Sequence, residues 1–327
     1  TFPALAELVA SAKVVSLPLR TKFRGLADRE VLLFEGPNGW AEWAPFTEYP
    51  DEEAAAWLTA AIEFSHGQLP TLHRDRIAVN ATLPAVAPDQ VEKVLGCFGK
   101  FSTVKIKVAE GGQKLGDDVD RIMAVRAAYP EVKIRLDANG KWSVDLAVSF
   151  TRALFKQGIQ LEYLEQPVAT INEMAELRIK LATERIPVRI AADESVRKVS
   201  DPFAVVQAQA ADILVLKAAP LGGIKNALEI ARGAGLPVVI SSALESSVGL
   251  SMGAHLAAAI PDLQFDCGLA TSALLAGDVT RDSLRPVDGF IDVRRVDVDK
   301  SKLEIFKAQD HREDWWLDRL ERVYKLL

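Results

Sequence analysis

The sequence predicts an α/β protein in which a closed barrel of repeated βα units follows a small α+β unit. Short apolar runs, each followed by a charged amphipathic stretch, begin near residue 76, and this pattern is typical of a parallel sheet buried on both faces. The runs lie at residues 77–79, 103–108, 132–136, 161–164, 188–191, 213–216 and 236–240. Because an eighth run follows at residues 264–267, a barrel is favoured over an open sheet.

The N-terminal part of the chain has a different pattern. Residues 14–19 and 30–35 have the composition of strands, and residues 37–39 carry the Pro-Asn-Gly signal of a turn. Residues 51–64 have apolar positions at helical spacing. Residues 312–327 repeat that spacing at the C-terminus, so we expect a terminal helix that packs against the body of the protein.

Composition excludes several classes of function. The 39 Lys and Arg residues against 45 Asp and Glu residues give a net charge of −6 without a basic cluster, so neither nucleic acid nor a membrane surface is expected as a partner. No apolar stretch approaches the length of a membrane span, and no signal peptide is recognisable. Cys97 and Cys267 lack zinc or disulfide spacing. We expect a cytoplasmic protein that binds a small molecule, and its oligomeric state stays open.

Three carboxylates follow apolar runs at regular spacing. Asp137, Glu165 and Asp193 are separated by steps of 28 residues, so they would converge at the carboxyl ends of neighbouring strands, where their repulsion requires a cation. Oxygen ligands favour Mg²⁺, with Mn²⁺ as a substitute. Each residue alone also fits an ordinary role, namely a turn at Asp137, a solvated strand end at Glu165 and a helix N-cap at Asp193. The regular triplet favours a metal site.

Lysines occur at equivalent positions. Lys105 and Lys107 alternate with apolar residues and share one strand face, which is the interior in a barrel, whereas an edge strand would leave them in solvent. Lys217 ends the run at residues 213–216 and would lie at the barrel mouth, unless it is an ordinary strand-end lysine. Lysine acts as a base when burial and a nearby cation lower its pKa. A dication with lysines suits the removal of a proton beside a carboxylate.

Other catalytic motifs are absent from the sequence. No histidine falls at a strand end, and neither a Gly-x-Ser-x-Gly elbow nor a phosphate-binding loop is present. Gly222 and Gly223 precede a predicted helix, where they could present N–H groups to an anion or simply form a turn. Lysine is therefore the expected base.

These residues carry a resemblance to a known family. The motifs, in chain order, are residues 39–42 with Pro45, 105–107, 136–139, 164–167, 192–195, 216–217 and 241–249. Over most of its length the chain resembles the muconate-lactonising-enzyme subgroup of the enolase superfamily. The resemblance implies a (β/α)7β modified TIM barrel at residues 76–290, an α+β capping domain at residues 1–75, and a C-terminal segment at residues 291–327 that returns to the cap.

The resemblance also implies roles for individual residues. Asp137, Glu165 and Asp193 would hold Mg²⁺, and a lysine base with Mg²⁺ is the general arrangement of such sites. Lys107 would be the base and Lys217 the opposing catalytic lysine. A loop at residues 19–25 would close over a small carboxylate substrate. The residues implied to bind it are Lys105, Asn139, Gly222, Gly223, Ser242 and Leu244, with Glu194 as a charge neighbour of the lysines.

The activity implied by the resemblance is that of a carbon–oxygen lyase. It would remove water from 2-succinyl-6-hydroxy-2,4-cyclohexadiene-1-carboxylate, a step of menaquinone biosynthesis, and segments 216–223 and 241–249 favour this reading. An N-acylamino acid racemase could use the same residues and remains an alternative, as does another activity of the muconate-lactonising subgroup. Dipeptide epimerases are disfavoured because Asp266 is the single acid of its segment, and mandelate-racemase-like enzymes because no histidine base is available.

Overall fold

The computed structural model of the protein describes residues 2–198 and 200–327. The strands are β1 (Lys13–Phe23), β2 (Leu26–Gly36), β3 (Gly39–Trp43), β4 (Arg76–Ala78), β5 (Ala81–Leu83), β6 (Thr103–Lys107), β7 (Lys133–Asp137), β8 (Leu161–Glu165), β9 (Ile190–Ala192), β10 (Ile213–Leu216), β11 (Val238–Ile240) and β12 (Phe290–Asp292). The helices are α1 (Leu5–Ser11), α2 (Asp51–His66), α3 (Val91–Leu95), α4 (Leu115–Ala128), α5 (Val144–Lys156), α6 (Ile171–Thr183), α7 (Glu194–Arg197), α8 (Ala204–Gln207), α9 (Ile224–Ala234), α10 (Ser247–Ala259), α11 (Lys300–Ile305) and α12 (Asp310–Tyr324). Within the part of the chain that the structure describes, no helix is both long and apolar enough to cross a bilayer.

Strands β5 to β11 form a parallel sheet in chain order, and helices separate them. An eighth extended segment closes the sheet into a barrel. The Cys267 N–H donates to the carbonyl of Ala78 at 2.7 Å on one side, and the Gly268 N–H donates to the carbonyl of Ile240 at 2.8 Å on the other. The predicted (β/α)7β barrel is therefore confirmed.

The first barrel strand differs from the prediction. Residues 77–79 belong to a segment whose pairing partner changes at Asn80: before it, β4 pairs antiparallel with β12, and after it, β5 pairs parallel with β6. The Asn80 side chain lies at this change of direction, where its oxygen accepts a hydrogen bond from Arg135 Nη1 at 2.9 Å. A short apolar run cannot indicate which of two partners it will pair with.

The inner and outer faces of the barrel strands contribute to two different clusters of buried residues. The inner cluster is Tyr163, Ala191, Ile213, Val215, Val239 and Phe265. The intervening residues, such as Leu164 and Leu214, belong to the larger core under the surrounding helices. Because side chains alternate along a strand, a residue two positions beyond an inner residue also points inward. Glu165, Asp193 and Lys217 each lie two positions beyond an inner residue, so their side chains point into the barrel mouth.

The cap consists of the antiparallel sheet β1, β2 and β3 with α2, and α12 packs against it. The predicted strands at residues 14–19 and 30–35 lie within longer ones, which meet at a tight hairpin whose central residues, Arg24 and Gly25, both have positive φ, as a type I′ turn requires. Helix α1 was not predicted from the sequence. The domain boundaries at residues 75 and 290 stay predictions.

A buried tryptophan helps to anchor the C-terminal helix to the cap. Trp316 is fully buried, its Nε1 donates to Glu30 Oε2 at 2.9 Å, and its ring meets that of Trp43 edge to face at 5.5 Å. We expect Trp316→Ala to lower the free energy of unfolding by about 3–5 kcal/mol, since it leaves a large cavity in the cap. Urea unfolding measures this change. Trp315→Ala is the matched control, because Trp315 is only half-buried, and an equal loss in both variants would contradict the assignment.

Candidate active site

A cavity lies between the barrel mouth and the cap. The cap contributes Phe23, Arg24, Phe46, Tyr49 and Trp57 to its lining. The barrel contributes Thr82, Lys105, Lys107, Asp137, Asn139, Arg197, Lys217, Pro220, Ser241, Ser242, Ala243, Leu244, Gly268 and Thr271. This is the carboxyl end of the strands, where barrel enzymes place their catalytic groups. The apolar and aromatic cap residues close a pocket whose floor is charged.

The three predicted carboxylates lie side by side beneath this cavity. Asp137 and Glu165 are register partners on β7 and β8, and Glu165 pairs with Ala191 of β9, two residues before Asp193. All three side chains are almost completely buried, with exposed fractions of 0–1%. Three ionisable acids without solvent require positive partners.

Each carboxylate has its own lysine partner in this structure. Lys105 Nζ donates to Glu165 Oε1 at 3.0 Å, and Lys107 Nζ donates to Asp137 Oδ2 at 2.5 Å. Lys217 Nζ donates to Asp193 Oδ2 at 2.6 Å. Within residues 2–198 and 200–327, no three His, Cys, Asp or Glu side chains converge in a ready metal-binding arrangement. The donor atoms are all carboxylate oxygens, which suit a hard dication once the ammonium groups withdraw.

The pKa values of the three carboxyl groups are shifted in different directions. For Asp137, burial is outweighed by the Lys107 and Lys105 ammonium groups, which lower its pKa to about 2. For Glu165, burial and repulsion from Asp137 raise the pKa to about 7. The pKa of Asp193 is lowered despite burial, because Arg197 and Lys217 stabilise its anion. Burial is the largest cause of the raised pKa of Glu165, and a cation bound beside this carboxylate would stabilise its anion.

The two predicted catalytic lysines face each other across the barrel. Lys107 ends β6, the second barrel strand, and Lys217 follows β10, the sixth, so they lie four strands apart in a ring of eight. Lys107 Nζ also donates to Asn139 Oδ1 at 2.9 Å and lies 5.7 Å from the centre of the Phe23 ring. A planar substrate between the lysines would present one face to each.

The structure tests three of the ordinary roles considered for these residues: a helix N-cap, a local turn and an edge strand. Asp193 occupies the N-cap position of α7, but its side chain makes no capping hydrogen bond. Asp137 Oδ1 does accept the Asn139 N–H at 3.1 Å, so a local turn and the contact with Lys107 coexist. Strand β6 lies between β5 and β7, and Lys105 and Lys107 are buried. The edge-strand reading is therefore wrong.

The predicted substrate-binding residues divide into two groups. Lys105, Asn139, Ser242 and Leu244 line the cavity, whereas its lining, taken over the described residues, does not include Gly222 or Gly223. The N-terminus of α9 instead receives a cap carboxylate, because Ile224 N–H donates to Glu63 Oε1 at 2.8 Å. Gly223 allows this carboxylate to approach, because a Cβ there would lie 2.7 Å from Glu63 Oε2.

Sequence reasoning missed several residues at the site. Arg197 lines the cavity, and its guanidinium donates to Asp193 Oδ1 at 2.9 Å and to Glu194 Oε1 at 3.0 Å. Its position four residues after Asp193 on a helix was an available signal. Arg24 lies at the hairpin tip, with its guanidinium 4.1 Å from the centre of the Phe46 ring. It belongs to the loop at residues 19–25 that the resemblance places over the substrate, but it was not singled out within that loop.

Comparison with known proteins agrees with this geometry. The model of the enolase C-terminal domain-like family matches residues 88–296, and that of the enolase N-terminal domain-like family matches residues 14–65. The o-succinylbenzoate synthase of Mycobacterium ulcerans is 51% identical, covering 99% of this chain and 96% of the relative. That of Mycobacterium tuberculosis H37Rv is 50% identical, covering 99% and 97%. The chain belongs to the o-succinylbenzoate synthase family of the enolase superfamily. It is therefore an enzyme, a carbon–oxygen lyase.

Solved structures show how widely the fold of the o-succinylbenzoate synthase family is shared. Muconate lactonizing enzyme from Pseudomonas fluorescens superposes with a TM-score of 0.76 at 20% identity, covering 91% of this chain and 98% of that one. The L-Ala-D/L-Glu epimerase from Bacillus subtilis gives a TM-score of 0.74 at 22% identity, covering 88% and 96%. At these identities the likeness concerns the fold alone.

Proposed function

We propose that the chain catalyses the Mg²⁺-dependent dehydration of 2-succinyl-6-hydroxy-2,4-cyclohexadiene-1-carboxylate to o-succinylbenzoate, the product that the name of its relatives gives. The observation that carries the proposal is the 51% identity, over 99% of the chain, to a relative named o-succinylbenzoate synthase. Lys107, which lines the cavity beside the buried carboxylates, supplies a group for the proton transfer. A carboxylate substrate suits this charge. Cationic side chains of Lys105, Lys107, Lys217, Arg24 and Arg197 line the cavity.

The residues Asp137, Glu165 and Asp193 would hold Mg²⁺, or Mn²⁺ in its place. Their oxygen-only donor set and shared burial fit a hard dication. When bound, the ion supplies positive charge for the negative charge that develops on the substrate carboxylate. Lys107 accepts a proton only as a neutral amine, and Asp137 then needs a positive partner other than the Lys107 ammonium.

Lys107 carries the proton in this proposal. Its Nζ removes the proton from the carbon that bears the substrate carboxylate, and the same proton then passes to the departing hydroxyl group as the carbon–oxygen bond breaks. One proton and one hydroxide leave together as water, and the ring becomes aromatic. Lys105 helps to hold the substrate carboxylate. Lys217 stabilises the developing charge from the opposite face, and Asn139, Ser242 and Leu244 contact the substrate.

A racemase of N-acylamino acids is the second candidate, favoured by the position of Lys217. Racemisation needs a proton donor on the face opposite the base, and Lys217 lies opposite Lys107. Removal of the α-proton is common to both reactions, so the catalytic residues alone do not separate them.

A comparison of two substrates tests the proposal. We expect kcat/KM for the cyclohexadiene carboxylate to exceed that for N-succinyl amino acids on the same preparation, because dehydration requires one acid–base group and yields an aromatic ring. Lys107→Ala protein, assayed beside it, reports any contaminating activity. A larger kcat/KM for the amino acids would assign the chain to the racemase instead.

A further inference from the structure

The loop between β11 and α10 forms one wall of the cavity and contains a strained residue. Ser241, Ser242, Ala243 and Leu244 all line the cavity. Leu244 is buried and has φ +65°, a left-handed conformation that is unfavourable for a residue with a Cβ. Such a conformation persists only where its surroundings hold it. The neighbours of Leu244 therefore determine the shape of this wall.

One such neighbour is an arginine of the cap. Arg29 lies on β2 with an exposed fraction of 2%, and its Nε donates to the carbonyl of Leu244 at 3.2 Å. Its Nη2 donates to the carbonyl of Ala44, and its guanidinium lies 4.3 Å from the centre of the Phe46 ring. A buried cation of the cap thus holds the peptide of the strained residue.

A cap carboxylate holds the other side of the same loop. Glu42, buried on β3, accepts hydrogen bonds at Oε2 from the N–H groups of Ser246 at 3.1 Å and Gly249 at 3.3 Å, and from the Ser246 hydroxyl. A Cβ at Gly249 would lie 3.0 Å from Glu42 Cδ, so the glycine permits this approach. Cap strands β2 and β3 therefore contact the loop on both sides of Leu244. The residues that make these contacts, Arg29 and Glu42, do not line the cavity.

We propose that Arg29 and Glu42 are positioning residues for catalysis, which hold Leu244 in its left-handed conformation and so fix the cavity wall formed by Ser242 and Leu244 against the substrate. We call the contacts of Arg29 and Glu42 with this loop the clamp. The inference rests on the proposed function, since it assigns the clamp to that substrate site. Loss of the clamp should weaken substrate binding while the proton transfer at Lys107 continues in the bound complex.

Replacement of Arg29 tests the clamp. We expect Arg29→Met, or Arg29→Lys if the first does not fold, to raise KM by about 10- to 100-fold, the size of a lost hydrogen bond to a charged group, with kcat within about threefold of wild type. Arg312→Met is the control, because Arg312 of α12 also pairs with a residue of β2, Glu30, but does not reach the loop. An unchanged KM in a folded Arg29 variant overturns the proposal.

The substitution Leu244→Gly, combined with Arg29→Lys, distinguishes a positioning role of Arg29 from a general loss of stability. Glycine adopts positive φ without steric cost, so in Leu244→Gly the loop should need the clamp less, and Arg29→Lys should raise KM by less than about threefold there. The same increase in KM in both backgrounds would contradict the proposal.

Replacement of Glu42 tests the other half of the clamp. Glu42→Ala should likewise raise KM, whereas Glu42→Gln, which keeps the acceptor oxygen, should leave KM close to that of wild type. Equal effects of the two substitutions would exclude Glu42 from the clamp.

A measurement without substrate keeps the two hypotheses apart. In Arg29→Lys, amide hydrogen exchange at residues 241–246 should accelerate by about tenfold relative to wild type, while exchange in β7 stays the same. Unaltered exchange in the loop refutes the clamp even if the enzyme dehydrates its substrate. A wild-type protein that does not dehydrate the cyclohexadiene carboxylate refutes the proposed function, whatever the loop does.

Discussion

Lys107→Ala should reduce dehydration of the cyclohexadiene carboxylate by about 10²- to 10⁴-fold, the usual contribution of a general base. The reason is geometric: Lys107 is buried at the barrel mouth and directed at the cavity, with Asn139 and Asp137 as its hydrogen-bond partners. The loss should fall mainly on kcat, because the substrate carboxylate still meets Lys105. Steady-state kinetics and exchange of the substrate α-proton in D₂O measure the two effects.

Lys141→Ala is the matched control for this experiment. Lys141 pairs with Glu110 at 3.4 Å on the surface, where 43% of its side chain is exposed, so its removal should leave both rates unchanged. If Lys107→Ala exchanged the α-proton as fast as wild type, the base would have to be another group, and Lys217 would be the next candidate. Loss of exchange with the fold intact would support Lys107.

Removal of divalent metal should abolish turnover, and added Mg²⁺ or Mn²⁺ should restore it. Asp137, Glu165 and Asp193 are buried together with unequal proton affinities, and a bound dication would neutralise their charge. Asp193→Asn should weaken Mg²⁺ binding by at least about 10- to 100-fold, a loss reported even for groups that only support ligands. Calorimetric titration with Mg²⁺ measures the affinity, and circular dichroism checks the fold.

Asp145→Asn controls for the loss of one negative charge. Asp145 is exposed and pairs with Lys180 at 3.0 Å, so the change should not affect Mg²⁺ affinity. Full activity in exhaustively chelated protein would refute the metal assignment. Such an outcome would leave the three carboxylates as permanent counter-ions of Lys105, Lys107 and Lys217, which is the pairing seen in this structure.

The sequence by itself determined which barrel residues meet. A repeat of strand and helix places equivalent positions at the same height, so equal spacing of Asp137, Glu165 and Asp193 indicated neighbouring strand ends, and alternation indicated the shared face of Lys105 and Lys107. These are consequences of local periodicity, which every segment of the chain carries in its own residues. The structure brings all five side chains to one floor.

Only the tertiary structure decided how the cap meets the barrel. Arg29 reaches Leu244 across 215 residues of chain, and Glu63 accepts hydrogen bonds at the helix end where Gly222 and Gly223 were expected to meet a substrate. No local pattern encodes such contacts, because they depend on how two separately folded surfaces fit together. The residue type does not indicate whether an arginine is buried or exposed, because its burial depends on tertiary packing.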